Sequence, residues 1–238
     1  AIAFRETQGG ARPAPAETLD DILAIRIRDL TAYQNAAYAG SYADFVGRIR
    51  RVEDSRIPGS DSFTKAVARN LYKLMAYKDE YEVARLFASP EFARKLHAEF
   101  EGDYQLTFHL APPGLAKPDP QTGRIAKRRF GPWMMPAFRI LAKLKGLRGT
   151  PFDPFGRTEE RRNERRLINV YRATIESPLP SLSADNLALA MEIAGIPDRI
   201  RGYGPIKEKS LAEAKARESA LLARYRAGKS SAPPIAAE

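Results

Sequence analysis

The stretch from Lys127 to Gly156, KRRFGPWMMPAFRILAKLKGLRGTPFDPFG, sets the strongest condition on this fold, because it mixes dense positive charge with large apolar side chains. It holds the only tryptophan, Trp133, beside Met134 and Met135. From Lys117 to Arg148 there are nine Lys or Arg (Lys117, Arg124, Lys127, Arg128, Arg129, Arg139, Lys143, Lys145, Arg148) and one acid, Asp119. That is a local charge of +8 in a chain whose net charge is +10. Such a segment must bury one side and present the other. Met134, Met135, Phe138, Leu141, Ala142 and Leu144 approximate one helical face, and Arg139, Lys143 and Lys145 fall off it. Pro132 suits the first turn of that helix and Gly146 its end. Gly149, Pro151, Pro154 and Gly156 then punctuate a loop carrying Phe152 and Phe155, which reads as a loop pinned to a core. The expectation is an apolar anchor with a cationic outer face. Trp133, Phe138, Leu141, Phe152 and Phe155 would be largely buried, and Trp133→Ala would cost about 3–5 kcal/mol.

At 238 residues and 44% apolar, the chain is long enough to bury a core as one large domain or two small ones. A pI near 9.8 argues for an anionic partner. The absence of cysteine rules out disulfides, thiolate metal sites, Cys-ligated iron–sulfur clusters and a cysteine nucleophile within this chain. No apolar run approaches the ~20 residues of a membrane span, and the first residues carry no signal-peptide core. The expected location is the cytoplasm. The first residue is not Met, so the expectation is a chain that begins inside a longer polypeptide.

Residues 1–17 read as a linker, 18–226 as one domain and 227–238 as a flexible tail. From Thr18, a capping box with Asp21 opens a helical stripe through Leu19, Ile22, Leu23, Ile27, Leu30, Tyr33 and Ala37. Phe45, Val46 and Ile49 continue it after Gly40. A second stripe runs from Phe63 to Phe87. Ser89-Pro90 starts a short helix closed by Gly102. YQLTFHL at 104–110 alternates as a strand, and 124–130 is its candidate hairpin partner. Thr158 caps a charged helix over roughly 159–176, Ser183 starts another, and a last one covers about 208–225. The fold class is therefore mainly α with a small antiparallel β-hairpin (α+β).

The chemical constellations are sparse. His109 lies on the polar face of the candidate strand and His97 in a charged helix, where solvated histidines are the ordinary case. Asp79, Glu80 and Glu82 sit close in sequence, and on one helix Lys78 would pair with Glu82 four residues on. Gly202-Tyr203-Gly204 lacks the rest of a dinucleotide fingerprint, and no phosphate loop or nucleophile elbow is present. No metal set is indicated. The polar residues Arg69, Asn70, Lys73, Lys78, Asp79, Glu80, Arg201 and Lys207 form a candidate internal cluster, because Asn70 and Lys73 adjoin the apolar stripe of their helix.

Four blocks carry a family resemblance: VARNLYKLMAYKDEYEVARL (67–86), FEGDYQLTFHLAPP (100–113), the 127–156 stretch and IRGYGPIKEKSL (200–211). With LTAYQNAAYA (30–39), they closely resemble the C-terminal domain of single-chain indolepyruvate:ferredoxin oxidoreductases, members of the 2-oxoacid:ferredoxin oxidoreductase family. The resemblance covers roughly 18–226. It implies a C-terminal accessory domain of a longer, homo-oligomeric enzyme that oxidatively decarboxylates 2-oxo acids to acyl-CoA. That parent would use thiamine diphosphate with Mg, 4Fe-4S clusters and coenzyme A, and would pass electrons to ferredoxin. The ligands for those cofactors are missing here, so no catalytic residue and no cofactor is assigned to this segment.

Its implied partners are the other domains of the same polypeptide, with ferredoxin as a further candidate and no membrane. Lys127, Arg128, Arg129, Lys143, Lys145 and Arg148 are the candidate contacts to an acidic partner, or to coenzyme A phosphates through bidentate Arg pairs. The alternative is a basic module for nucleic acid or another anion. Against it, the cations interleave with a helix that needs burial, and no nucleic-acid motif is present. A free-standing enzyme built on His109 and the 79–82 carboxylates is the weakest reading.

Overall fold

The computed structural model describes residues 17–102, 104–110, 128–202 and 205–228. Lys127, most of the linker and the tail from 229 on lie outside the described residues.

The chain is mainly helical, with one small antiparallel sheet. Helix α1 (Leu19–Tyr33) opens on the expected capping box: the Asp21 amide donates to Thr18 Oγ1 at 3.1 Å and the Thr18 amide donates to Asp21 Oδ2 at 3.2 Å. The stripe that runs on to Ala37 is not one helix. Asn35 takes an extended backbone and its Oδ1 accepts from the Tyr38 amide at 2.8 Å, so a new helix, α2 (Ala36–Arg56), starts there with Gly40 inside it. The Phe63–Phe87 stripe also divides, into α3 (Ser62–Met75) and α4 (Glu80–Phe87), because Asp79 caps α4 by accepting from the Glu82 amide at 2.8 Å. Lys78 thus precedes the helix, and Glu82 pairs with Arg85 instead, at 2.7 and 2.8 Å. Ser89 caps α5 (Pro90–Glu99) with proline in the first turn.

The hairpin is present but short. Strand β1 (Phe108–Leu110) pairs with β2 (Arg128–Phe130), with Phe108 opposite Phe130, His109 opposite Arg129 and Leu110 opposite Arg128. Residues 104–107 stay outside the ladder, and 124–127 lie outside the described residues. Then follow α6 (Met134–Lys143), a 3-10 turn (Leu144–Leu147), and α7 (Glu159–Glu176), capped by Thr158 as expected. Helix α8 (Leu187–Ala194) follows a short 3-10 turn that begins after Ser183. A second such turn (Ile196–Arg199) leads to α9 (Pro205–Arg226). Among the described residues, no helix is long and apolar enough to cross a membrane.

Two apolar clusters follow from these stripes. The larger joins α1, α2, α3, α7, α8 and α9 through residues such as Ile22, Phe45, Leu71, Ile175 and Ile193. Its tyrosines keep their hydroxyls satisfied: Tyr42 donates to the Ala68 carbonyl, Tyr171 to that of Ala194 and Tyr225 to that of Pro178, at 2.9–3.0 Å. The smaller cluster lies under the hairpin. Phe87 of α4, Phe108 of β1 and Phe138 of α6 meet pairwise with ring centroids 5.1–5.2 Å apart, so α4 holds both the hairpin and α6.

One buried carboxylate fixes the turn between α2 and α3. Glu53 is fully buried and accepts from the Ser60 hydroxyl (2.7 Å), the Phe63 amide (3.0 Å), the Thr64 amide (2.7 Å) and the Thr64 hydroxyl (2.6 Å). It caps α3 from outside, where Asp61 makes no side-chain cap bond. Glu53→Ala should therefore cost about 3 kcal/mol in urea unfolding, since it leaves an uncapped helix and several orphaned donors. Glu53→Gln should cost less.

Candidate functional site

Arg148 was expected on the cationic surface, and the structure buries it. Its guanidinium donates to Asp79 from Nε (2.5 Å) and Nη2 (2.9 Å), with both side chains 3% exposed. Nη1 donates to the Tyr33 carbonyl at 2.6 Å, and the guanidinium lies over the Tyr33 ring, 3.6 Å from its centroid. The reason is local: α1 has no basic residue in its last turn, so its free carbonyls take cations from elsewhere. Lys145 supplies the second, donating to the Ala32 carbonyl at 2.5 Å and the Thr31 carbonyl at 3.3 Å. Burial pulls the Lys145 pKa below its usual value, and the nearby Arg85 and Arg148 charges act the same way. For Arg148, burial pulls down while the Asp79 hydrogen bonds push up, and the net shift is upward.

The loop after Arg148 closes on a second buried carboxylate, Asp153. It accepts from the Gly149 amide (2.8 Å), the Phe155 amide (3.1 Å) and the Tyr81 hydroxyl (3.1 Å). A Cβ at Gly156 would stand 2.2 Å from Asp153 Oδ2, so this position requires glycine. Phe155 packs edge-on against Tyr81.

The remaining cations do face outward. Arg128 and Arg129 on β2, and Arg139 and Lys143 on α6, are exposed. Exposed as well are Trp133 (63%), Ile140 (63%) and, on the loop, Phe152 (80%). These exposures correct the expectation of a buried Trp133 and Phe152. Helix α6 turns Met134, Met135, Phe138, Leu141 and Ala142 toward α4 and the hairpin. Trp133, Ile140 and Leu144, spaced seven and four apart, fall on the opposite side. The segment is apolar on two faces and the fold covers one.

The candidate internal polar residues do not converge. Arg69 pairs with Glu17 at 3.1 Å, Asn70 donates to the Ala66 carbonyl, and Lys78 is exposed. Asp79 turns to Arg148, while Glu80 beside it pairs with Arg161 at 3.3 Å. Lys207 bonds Glu164. Only Lys73 and Arg201 share a partner, Asp198, through its carboxylate and carbonyl. The break at 76–79 is the cause, because it turns α4 off the face of α3. His97 and His109 are both exposed.

Behind Arg148 the structure opens a pocket of about 220 Å³ that the sequence reading missed. Arg165, Ile168, Asn169 and Arg172 form one wall, at the spacing of a single face of α7. Gln34, Tyr38 and Ser41 form the other, across the α1–α2 junction, with Met75, Tyr77 and Arg148 between them. The i, i+3, i+4, i+7 spacing was readable, but charge on that helix reads as a solvated face. Among the described residues, no group of three or more His, Asp or Glu is placed to hold a metal ion.

Two outcomes test the buried centre. Asp79→Ala should cost about 3–5 kcal/mol, because it strands a buried guanidinium, whereas Asp79→Leu with Arg148→Met should recover most of that loss. The second concerns Asp153, where burial raises the pKa but hydrogen bonds from three backbone amides and Tyr81 outweigh it and lower the pKa overall. A lowered folded-state pKa contributes stability above the unfolded value, and that contribution is lost as pH falls through the folded one. The urea midpoint should therefore fall below about pH 4, and Asp153→Asn should flatten that part of the profile.

No curated protein and no solved structure matches the chain. Residues 19–220 match DUF6537, a family of unknown function, over most of the chain's length. The chain belongs to the DUF6537 family.

Proposed function

We propose that this chain is an accessory domain of a longer cytoplasmic 2-oxoacid:ferredoxin oxidoreductase, and that the face around α6 docks it onto the catalytic domains of that parent. The observation that carries the docking role is the exposure of Trp133 and Ile140 on the outer side of α6, in a segment whose Arg128, Arg129, Arg139 and Lys143 are exposed as well. Exposed aromatic and aliphatic side chains accompanied by arginine have the composition of an interface, whereas a solvated surface scatters its apolar residues singly. The exposed cations call for an acidic surface opposite them.

The link to the oxidoreductase family rests on the four sequence blocks and on their order along the chain. Three of the blocks meet in space: Asp79 and Tyr81 of the first meet Arg148 and Asp153 of the 127–156 stretch at the buried centre, and Phe108 of the second packs on Phe138 under the hairpin. The thiamine diphosphate, Mg, 4Fe-4S and coenzyme A chemistry belongs to other domains of the parent in this reading. A chain without cysteine cannot itself ligate such a cluster through thiolates.

In this chain alone, Trp133 emission should be red-shifted and readily quenched by acrylamide, and Trp133→Ala should cost less than about 1 kcal/mol, as surface substitutions do. In the full-length parent, Trp133→Asp with Ile140→Asp should free the domain for limited proteolysis while leaving its own melting unchanged. Changing Arg128, Arg129, Arg139 and Lys143 to Gln should have the same direction of effect. A ferredoxin association rate that falls at low salt alone would place ferredoxin on this face instead. A raised KM for coenzyme A would assign the cations to its phosphates. If proteolysis and both constants stay at wild-type values, the face is solvated surface and the reading fails.

A further inference from the structure

We propose that the pocket between α7 and the α1–α2 junction binds a small organic carboxylate, its oxyanion held by Arg165 and Arg172 and its apolar body lying against Tyr38 and Tyr77. This inference is independent of the docking reading, since it uses no residue of the α6 face.

Charge balance is the first argument. Three arginines line the pocket and no carboxylate does. Arg148 is neutralised by Asp79. Arg165 and Arg172 enter no ion pair among the described residues, although arginines elsewhere on the molecule do: Arg48 with Glu176, Arg161 with Glu80, Arg217 with Glu192. The two guanidiniums lie two turns apart on one helix face with no carboxylate lining the pocket between them, so an entering anion would meet positive charge from both.

Hydrogen bonding is the second. Arg165 Nη1 and Arg172 Nε are shielded from solvent and have no hydrogen-bond partner. The bonds these residues do make leave capacity over. Arg165 Nη2 donates to the Gly156 carbonyl at 2.6 Å. Arg172 Nη2 makes only long contacts, to the Ser41 carbonyl (3.4 Å), the Ser41 hydroxyl (3.3 Å) and Met75 sulfur (3.6 Å). Burial also draws the Arg172 pKa below its usual value, and the charge of a bound oxyanion would oppose that shift. Planar guanidinium forks match carboxylates in geometry as well as charge.

The walls set the ligand's body. Tyr38, Tyr77, Met75 and Ile168 are apolar or aromatic, and Gln34 and Asn169 stand where a single polar substituent could be read. A volume of 220 Å³ is that of about seven waters at ~30 Å³ each. It is smaller than a typical cofactor cleft of roughly 300–1,000 Å³. It suits a compound about the size of benzoate. The Tyr38 hydroxyl is already committed to the Met75 carbonyl (2.9 Å), and the Tyr77 backbone is tied by the Tyr33 hydroxyl (2.9 Å), so both wall residues are held before any ligand arrives.

Thermal unfolding and titration calorimetry of the chain with benzoate and with inorganic phosphate test the proposal. Benzoate should raise the melting midpoint saturably, as a ligand of the folded state does. Arg172→Gln and Arg165→Gln should each weaken benzoate binding at least about tenfold, equivalent to ~1.4 kcal/mol, and Arg172→Lys should fall between. Without ligand, Arg172→Gln should melt no lower than wild type, because it removes an unbalanced charge; a purely structural arginine would melt lower. Should Arg172→Gln fail to fold, Asn169→Phe serves, since it fills the pocket from an exposed position and should abolish binding in a folded protein. Stronger saturable binding of phosphate than of benzoate overturns the carboxylate assignment. No saturable binding of either, or undiminished binding in Arg172→Gln or Asn169→Phe, overturns the site.

Discussion

The buried pair between Arg148 and Asp79 is the interaction on which the arrangement of this molecule depends. One guanidinium meets the N-cap of α4, the last carbonyls of α1 and the face of Tyr33, so three segments far apart in sequence are brought to one point. Taking two charges out of water is costly, and a buried pair often contributes little net stability compared with well-packed apolar residues. Its contribution is geometric. The guanidinium fork and the carboxylate fit in few orientations, so the pair fixes where α4 starts, and α4 in turn carries the hairpin and α6.

The positive charge of the chain has two uses. Lys145 and Arg148 turn inward to serve the C-terminal end of α1, which lacks cations of its own. Arg165 and Arg172 line the pocket behind them. Arg128, Arg129, Arg139 and Lys143 stay in water. Net charge describes the sum of these groups and is silent on the division. In the proposed reading that division separates a docking face from a small-anion pocket, because the first would be governed by shape and long-range attraction and the second by desolvated hydrogen bonds.

Much of the fold was legible. Thr18, Ser89 and Thr158 were readable as caps, and each caps a helix. The hairpin appeared where YQLTFHL alternates and 124–130 was its candidate partner, although its ladder is three residues on each side. The helix breaks at Asn35 and Asp79 were missed because the apolar period continues across both. The signal was there in the residue types, since Asn and Asp are strong caps, but a run of correct spacing outvoted them. The candidate site was less legible. Six cations were grouped by their nearness in sequence, and the structure leaves Arg128, Arg129 and Lys143 exposed while sending Lys145 and Arg148 to α1.

What the sequence determined by itself is what depends on neighbours within about four residues. Capping, helical period, the glycine at the crowded position 156 and the pairing of Glu82 with Arg85 all act over that range. Tertiary structure alone decided which of two apolar faces of α6 is covered, where Arg148 points and that Arg165 and Arg172 share a pocket. Those outcomes rest on contacts between residues 30 to 131 positions apart, such as Phe108 with Phe138, Asp79 with Arg148 and Ser41 with Arg172. No local period encodes them, because a cation spaced correctly for solvent is spaced equally well for a buried carbonyl, and only the helix packed against it settles which it meets.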